Sequence, residues 1–279
     1  MSMLNHVTTG PINAGQRIVI AGTEKVGKTT LAANSPRSLL VPLELGFGAV
    51  ATSKLPHKLD TLEQVFQLCE ELIATARNRA LPYQTIVWDT ATALEILIHN
   101  YVLKSDPNYQ KNNGKGVTME SALGGYGKAY LRANELFGTF LSYCDTLAFQ
   151  YGINSVITCH VFASRVNDPA HGEYDTWDIL LHSPKNAKTY GKREMITQWA
   201  DMIGFLYEPV HVIVNDNQKL SRAVSTNRGR VLGVDRTPGY VAGNRYGISG
   251  EIAIPPQGGW NYLADAIYKS RGIDLFNRD

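Results

Sequence analysis

The run from Arg17 to Leu31 constrains this chain more than any other stretch. It reads Arg-Ile-Val-Ile-Ala-Gly-Thr-Glu-Lys-Val-Gly-Lys-Thr-Thr-Leu and matches G-x-x-x-x-G-K-[ST] without a gap at Gly22, Gly27, Lys28 and Thr29. A β-branched run, Ile18 to Ile20, leads in, and helical character begins near Lys28. Strand, glycine loop and helix therefore follow in the order a phosphate-binding loop needs. Glycine suits the loop because its backbone N–H groups must face phosphate oxygens, where a Cβ would obstruct them. The helix start adds partial positive charge. The spacing implies a nucleoside triphosphate held by Gly22, Thr23, Glu24, Lys25, Val26, Gly27, Lys28, Thr29 and Thr30. In that arrangement Lys28 meets the β- and γ-phosphates and the Thr29 hydroxyl takes Mg²⁺.

At 279 residues, 44 % hydrophobic and 19 % charged, the chain has the composition of an ordinary globular protein able to bury a core. A formal charge of +2 provides no global field for a polyanion, so any nucleic-acid surface must be a local patch. Cys69, Cys144 and Cys159 sit in apolar surroundings without C-x-x-C spacing, and read as reduced, buried thiols. The polar start shows no signal peptide and no run is long enough to span a membrane, so the expected location is cytoplasmic.

Along the chain, Ser38 to Leu43 reads as a strand that ends in Glu44-Leu45-Gly46. Thr61 to Arg79 repeats apolar residues at helical spacing behind an Asp60 or Thr61 cap. Thr85 to Asp89 is a third strand whose closing carboxylate fits a Walker B aspartate, the second metal anchor after Thr29. Ser105 to Tyr130 reads as a long polar loop, carrying five Lys or Arg against two acids between Lys104 and Arg132. Helical periodicity resumes from Leu131 to Phe149, and Asn154 to His160 is the fourth strand. Val161 to Arg193 reads as a second irregular segment. Its Lys185, Lys188, Lys192 and Arg193 lie beside Tyr174, Trp177 and Tyr190, a mixture suited to stacking on unpaired bases, although four acids dilute it. Met202–Tyr207, Val210–Val214 and Leu220–Ser225 read as strands, with Asn215-Asp216-Asn217 turning a hairpin. A basic tail follows (Lys219, Arg222, Arg228, Arg230, Arg236 and Arg245), then a helix over Leu263 to Tyr268. One domain is expected, residues 1–279, with a core of about 15–210 and a β-rich extension of about 211–279.

Four strands ending in the loop, Glu44, Asp89 and His160 resemble the RecA-like ATPase core. The fold class is then α/β, a RecA-like P-loop NTPase core with a mostly parallel sheet flanked by helices and antiparallel strands added at the C-terminal end. Arg236 to Arg245, Ile254-Pro255-Pro256 and Gly124 to Lys128 are similar to short phage ATP-binding proteins of that class, which act in single-strand annealing and recombination. The resemblance implies Glu44 as the catalytic glutamate that activates water, with Lys28 neutralising charge. It implies His160 as a γ-phosphate sensor and the two irregular segments as DNA-facing loops. Arg245, or another tail cation, is a candidate for reaching a neighbour's γ-phosphate. ATP and Mg²⁺ are the implied cofactors. Single-stranded DNA, further copies of the chain in a ring or filament, and a single-strand binding protein are the implied partners. Two other readings stand beside this one: a P-loop phosphotransferase on a small molecule, and a non-hydrolysing module in which ATP gates assembly.

Overall fold

The computed structural model describes residues 7, 9–10, 14–170, 172–184, 190–214, 220–225 and 229–275; for 211–214 and 220–225 only the backbone is described. Lys185, Lys188, Lys219, Arg228 and the Asn215-Asp216-Asn217 turn lie outside these residues.

The first half of the chain alternates strand and helix: β1 (Arg17–Gly22), α1 (Lys28–Ala33), β2 (Ser38–Pro42), β3 (Ser53–Lys54), α2 (Leu62–Arg77), β4 (Thr85–Asp89), α3 (Ala91–Lys104), α4 (Pro107–Lys111) and α5 (Lys128–Tyr151). Next come β5 (Asn154–Cys159), β6 (Val161–Asp168), β7 (Gly172–Ile179), α6 (Lys192–Trp199) and β8 (Met202–Tyr207). The remainder is β9 (Val210–Val214), β10 (Leu220–Ser225), β11 (Arg230–Gly233), β12 (Gly243–Asn244), β13 (Glu251–Ile254) and α7 (Gly259–Arg271).

The main sheet runs β13-β11-β8-β1-β5-β4-β2-β3, with β12 paired to β8. From β3 to β8 neighbours are parallel, and β11, β12 and β13 join antiparallel. The chain is thus α/β, with a mostly parallel sheet between helices and antiparallel strands at its C-terminal edge. Strand β1 explains why both faces must be covered, since Val19 and Ala21 face one core while Ile18 and Ile20 face the other. The first core takes α2, α3 and α5, with Trp88 edge-on to Phe140 at 5.0 Å between ring centroids. The second is closed by α1 and α7, where Leu31 meets Trp260, Leu263 and Ile267.

Local chemistry sets the helix starts. Thr61 caps α2 in a reciprocal box with Gln64, and Leu62, Val65, Cys69, Leu72 and Ala76 form the buried stripe. The three cysteines are free and buried, and burial pushes the Cys144 and Cys159 thiols up to about 12.

Two expected loops are corrected. Val161 to Arg193 is not irregular throughout: β6 and β7 form an eight-pair antiparallel hairpin, and α6 begins at Lys192. Lys192 is fully buried and paired with Glu95 at 3.2 Å, so it cannot touch nucleic acid as the sequence had it doing. Arg193 is likewise taken, by Asp178 at 2.6 Å and Glu194 at 3.3 Å. Ser105 to Tyr130 contains α4 and a 3-10 turn at Ala122–Gly124, and α5 starts at Lys128 instead of Leu131. Asp106 organises that segment, accepting from the backbone N–H groups of Asn108 and Leu123.

Candidate nucleotide site

Parallel pairing brings the carboxyl ends of β1, β2, β4 and β5 to one edge of the sheet, which is where open α/β sheets bind ligands. Each strand delivers one group there: the glycine loop after β1, Glu44 after β2, Asp89 at the end of β4 and His160 after β5. A cavity of about 590 Å³ opens among them, lined by Lys28, Thr29, Glu44, Asp89 and His160, and by Asn34, Val50 and Pro256 to Gly258.

The loop glycines are required by space and by conformation. A Cβ on Gly22 would lie 2.5 Å from the Leu206 carbonyl oxygen of β8. Gly27 has φ +98°, a left-handed conformation that L side chains rarely adopt. Helix α1 has only six residues, so the macrodipole expected from sequence is modest, and anion binding falls to the loop N–H groups and Lys28.

Lys28 is buried, and its ammonium donates to the carbonyls of Gly22 at 3.0 Å and Thr23 at 2.8 Å. Burial draws its pKa down, while Asp89 and Glu44 pull the other way. The Thr29 hydroxyl donates to Asp89 Oδ2 at 3.0 Å, and the Thr158 hydroxyl donates to Oδ1. Burial pushes the Asp89 carboxyl up, and those two hydrogen bonds hold it partly in check. The buried carboxylate beside a hydroxyl is a hard oxygen donor set whose charge a cation would offset, so Thr29 and Asp89 fit Mg²⁺.

Glu44 lies across the cavity. His160 Nε2 is 3.2 Å from both of its carboxylate oxygens, and the Thr90 hydroxyl donates to Oε2 at 3.2 Å. Burial would raise the Glu44 pKa, but the His160 and Thr90 contacts outweigh it and the net direction is down. The His160 backbone N–H donates to the Thr92 hydroxyl of α3, and its Nδ1 is buried without a hydrogen-bond partner among the described residues.

The structure therefore gathers Lys25, Gly27, Lys28, Thr29, Thr30, Glu44, Asp89 and His160 around one cavity, whereas Gly22 lies against the Leu206 carbonyl of β8. Thr23, Glu24 and Val26 instead border, with Lys25, a separate groove of about 470 Å³ against Phe205 and Tyr207. Arg245 is elsewhere: it bonds Asp201, just before β8, and the Gln198 carbonyl, at the amino ends of the strands and therefore at the opposite edge of the sheet. Sequence reasoning missed Thr90 and Thr158. The register Asp89↔Thr158 is what brings the second hydroxyl to the carboxylate, and no single segment displays it. It also missed the wall formed by Pro256, Gln257 and Gly258, 230 residues beyond the loop in the chain but folded against α1 through α7.

A family model described as "AAA domain" matches residues 14–246, most of the chain. None of the curated proteins compared with the chain matches it.

Proposed function

The chain belongs to the AAA domain family, and from that premise we propose that it hydrolyses ATP in order to act on single-stranded DNA. Nucleotide-binding ATPase activity is the general property of a P-loop family of this type. The finer reading, a phage-type recombination or annealing protein, draws its main support from one arrangement. Glu44 is hydrogen-bonded to His160, and the β6–β7 hairpin begins at the next residue, Val161.

The chemistry is transfer of the γ-phosphoryl group to water with in-line departure of ADP. The loop N–H groups seat the phosphates, and Lys28 leaves the Gly22 and Thr23 carbonyls to neutralise them. Thr29 and Asp89 would hold Mg²⁺, which when bound offsets charge on the triphosphate. Glu44 orients the attacking water and accepts its proton. His160, released from Glu44, donates to the γ-phosphate, and its movement is passed to the hairpin it roots.

Two surfaces favour DNA as the responding ligand. From the end of α3 to the start of α5, Asp106 is spent on backbone N–H groups and Glu120 on the Tyr130 hydroxyl, whereas Lys104, Lys111, Lys115 and Lys128 are exposed. Tyr126, in the same segment, is 99 % exposed, an aromatic residue among cations that make no ion pair with the described residues. On the hairpin, Trp177 is 39 % exposed. Assembly of several copies on the strand, as ring or filament, would place these surfaces in series, and a host-cell cytoplasm is the proposed setting. No helix among the described residues is long and apolar enough to cross a membrane.

One observation favours a second reading. Glu44 is held as a weak base by His160 and Thr90, which suits a module gated by ATP binding without rapid hydrolysis. The deciding experiment is the ATPase rate with and without single-stranded DNA at two salt concentrations, alongside a gel shift. The expected result is a DNA-stimulated rate whose stimulation falls steeply with salt. Unchanged turnover and no shift at low salt would remove the DNA reading.

A further inference from the structure

Arg230 opens strand β11, in the C-terminal part of the sheet, yet its side chain reaches back to the phosphate loop. Its Nη1 donates to the Val26 carbonyl at 3.3 Å, and a Cβ built on Gly27 would lie 1.9 Å from that nitrogen. The guanidinium thus lies directly against the last glycine of the loop. On its other side β11 pairs with β13, with Arg230 opposite Ile254, and the chain running on from Ile254 supplies Pro256, Gln257 and Gly258 to the cavity wall. Arg230 is therefore bracketed by two segments that line the nucleotide cavity.

The chemistry of its partners sets it apart. A guanidinium has five N–H donors in a planar fork suited to carboxylate or phosphate oxygens. The other partly buried arginines are satisfied in that way: Arg17 by Asp145 and Asp201, Arg193 by Asp178 and Glu194. Among the described residues Arg230 has one long bond to a backbone carbonyl and no carboxylate within ion-pair distance. A half-buried cation with most of its donors unspent among the described residues, pressed against a phosphate loop, is suited to a phosphate.

We propose that Arg230 is a nucleotide-binding residue supplied by the C-terminal strands of the same chain, taking oxygens of the α- and β-phosphates beside Gly27. The proposal rests on the nucleotide reading of the cavity and goes beyond it in assigning a second phosphate cation besides Lys28. It also gives the antiparallel extension a role in the site: β11 carries the cation and β13 leads into the opposite wall. Gly27 then answers to two demands, its left-handed backbone and the space the guanidinium occupies.

The test is equilibrium binding of fluorescent ADP and ATP, with AMP as competitor, to the full chain and to Arg230→Gln and Arg230→Lys, together with melting temperatures without nucleotide. The expected result is at least a ten-fold loss for ADP and ATP in Arg230→Gln, a smaller loss for AMP, and an unaltered melting temperature. Arg230→Lys, which keeps the charge but not the fork, should recover part of the affinity. ADP and ATP affinities within two-fold of wild type overturn the proposal. So does a lower melting temperature with normal ADP affinity in the folded fraction, which would make Arg230 a brace for the loop. Should Arg230→Gln fail to fold, Arg230→Lys decides: weakened ADP binding supports the assignment and normal binding defeats it. A wild-type chain that binds none of these nucleotides would instead sink the nucleotide reading, and this inference with it.

Discussion

The hollow beneath the β6–β7 hairpin is larger than the phosphate-loop cavity, about 710 Å³ against about 590 Å³, and it is lined by more charged side chains. In the larger hollow all of those charges except Arg236 are committed to ion pairs. Arg193 holds Asp178 and Glu194, and Arg245 holds Asp201, which also binds Arg17. In the smaller cavity Lys28 rests on the Gly22 and Thr23 carbonyls and Asp89 takes two hydroxyls, so neither is closed into an ion pair with the other, and Glu44 meets His160. Behind the loop, Arg230 rests on the Val26 carbonyl. The two buried lysines draw the same contrast. Lys192 is closed into an ion pair with Glu95, whereas Lys28 is held by contacts that a phosphate can replace. Available charge, more than volume, is what distinguishes the proposed nucleotide cavity.

The contrast can be tested by removing one group at a time. Glu44→Gln should keep ATP binding and lower the hydrolysis rate by about 10²–10⁴, the range typical of a lost general base. Normal cleavage in that variant would move water activation to another residue. Lys192→Ala should leave nucleotide affinity per folded molecule unchanged while costing about 3–5 kcal/mol of stability, because Glu95 would be left buried without its cation. Denaturant titration of that variant measures the cost, and an altered affinity would show that the two lysines are not separable as described.

Asp89→Asn should abolish the Mg²⁺-dependent part of nucleotide binding and raise the melting temperature of the nucleotide-free chain. The sign follows from burial. A carboxyl whose pKa is raised in the fold favours the folded state while protonated, and that advantage is lost as pH rises through the folded-state value. At neutral pH the Asp89 charge therefore costs stability, and each kcal/mol recovered corresponds to about 2–4 °C. A lower melting temperature would mean that the Thr29 and Thr158 bonds outweigh burial. The smallest effect is expected at Arg245. It is half exposed and shares Asp201 with Arg17, so Arg245→Ala should cost about 1 kcal/mol or less and leave nucleotide affinity unaltered. A fall in turnover that appears only at protein concentrations where copies associate would place Arg245 against a neighbour's phosphates.

The parts legible in the sequence were those with strong local signals. The phosphate loop, the β4 strand ending in Asp89 and the α2 stripe from Leu62 to Ala76 each carry their own periodicity or spacing. The β6–β7 hairpin did not, because it stands off the main sheet with partly exposed residues on both faces. Polar pairs (Ser164↔Thr176, Arg165↔Asp175, Asn167↔Glu173) interrupt its apolar ones (Val161↔Ile179, Ala163↔Trp177, Val166↔Tyr174), so no regular two-residue apolar alternation marks it and it reads as a loop. Helix α6 was hidden by Lys192, whose burial depends on a glutamate 97 residues earlier that no local pattern connects to it. Near the loop, Arg230 appeared as one more cation in a basic tail, since its approach to Gly27 depends on the β8-β11-β13 register.

The central claim is that a triphosphate occupies the cavity between the glycine loop and Asp89, with Lys28 turned onto it. The most direct measurement is a calorimetric titration of ATP with Mg²⁺ into the wild-type chain and into Lys28→Ala. The account predicts one site per chain in the wild type and at least a hundred-fold weaker binding in the variant, with no loss of folding. Equal binding by the two proteins would contradict it.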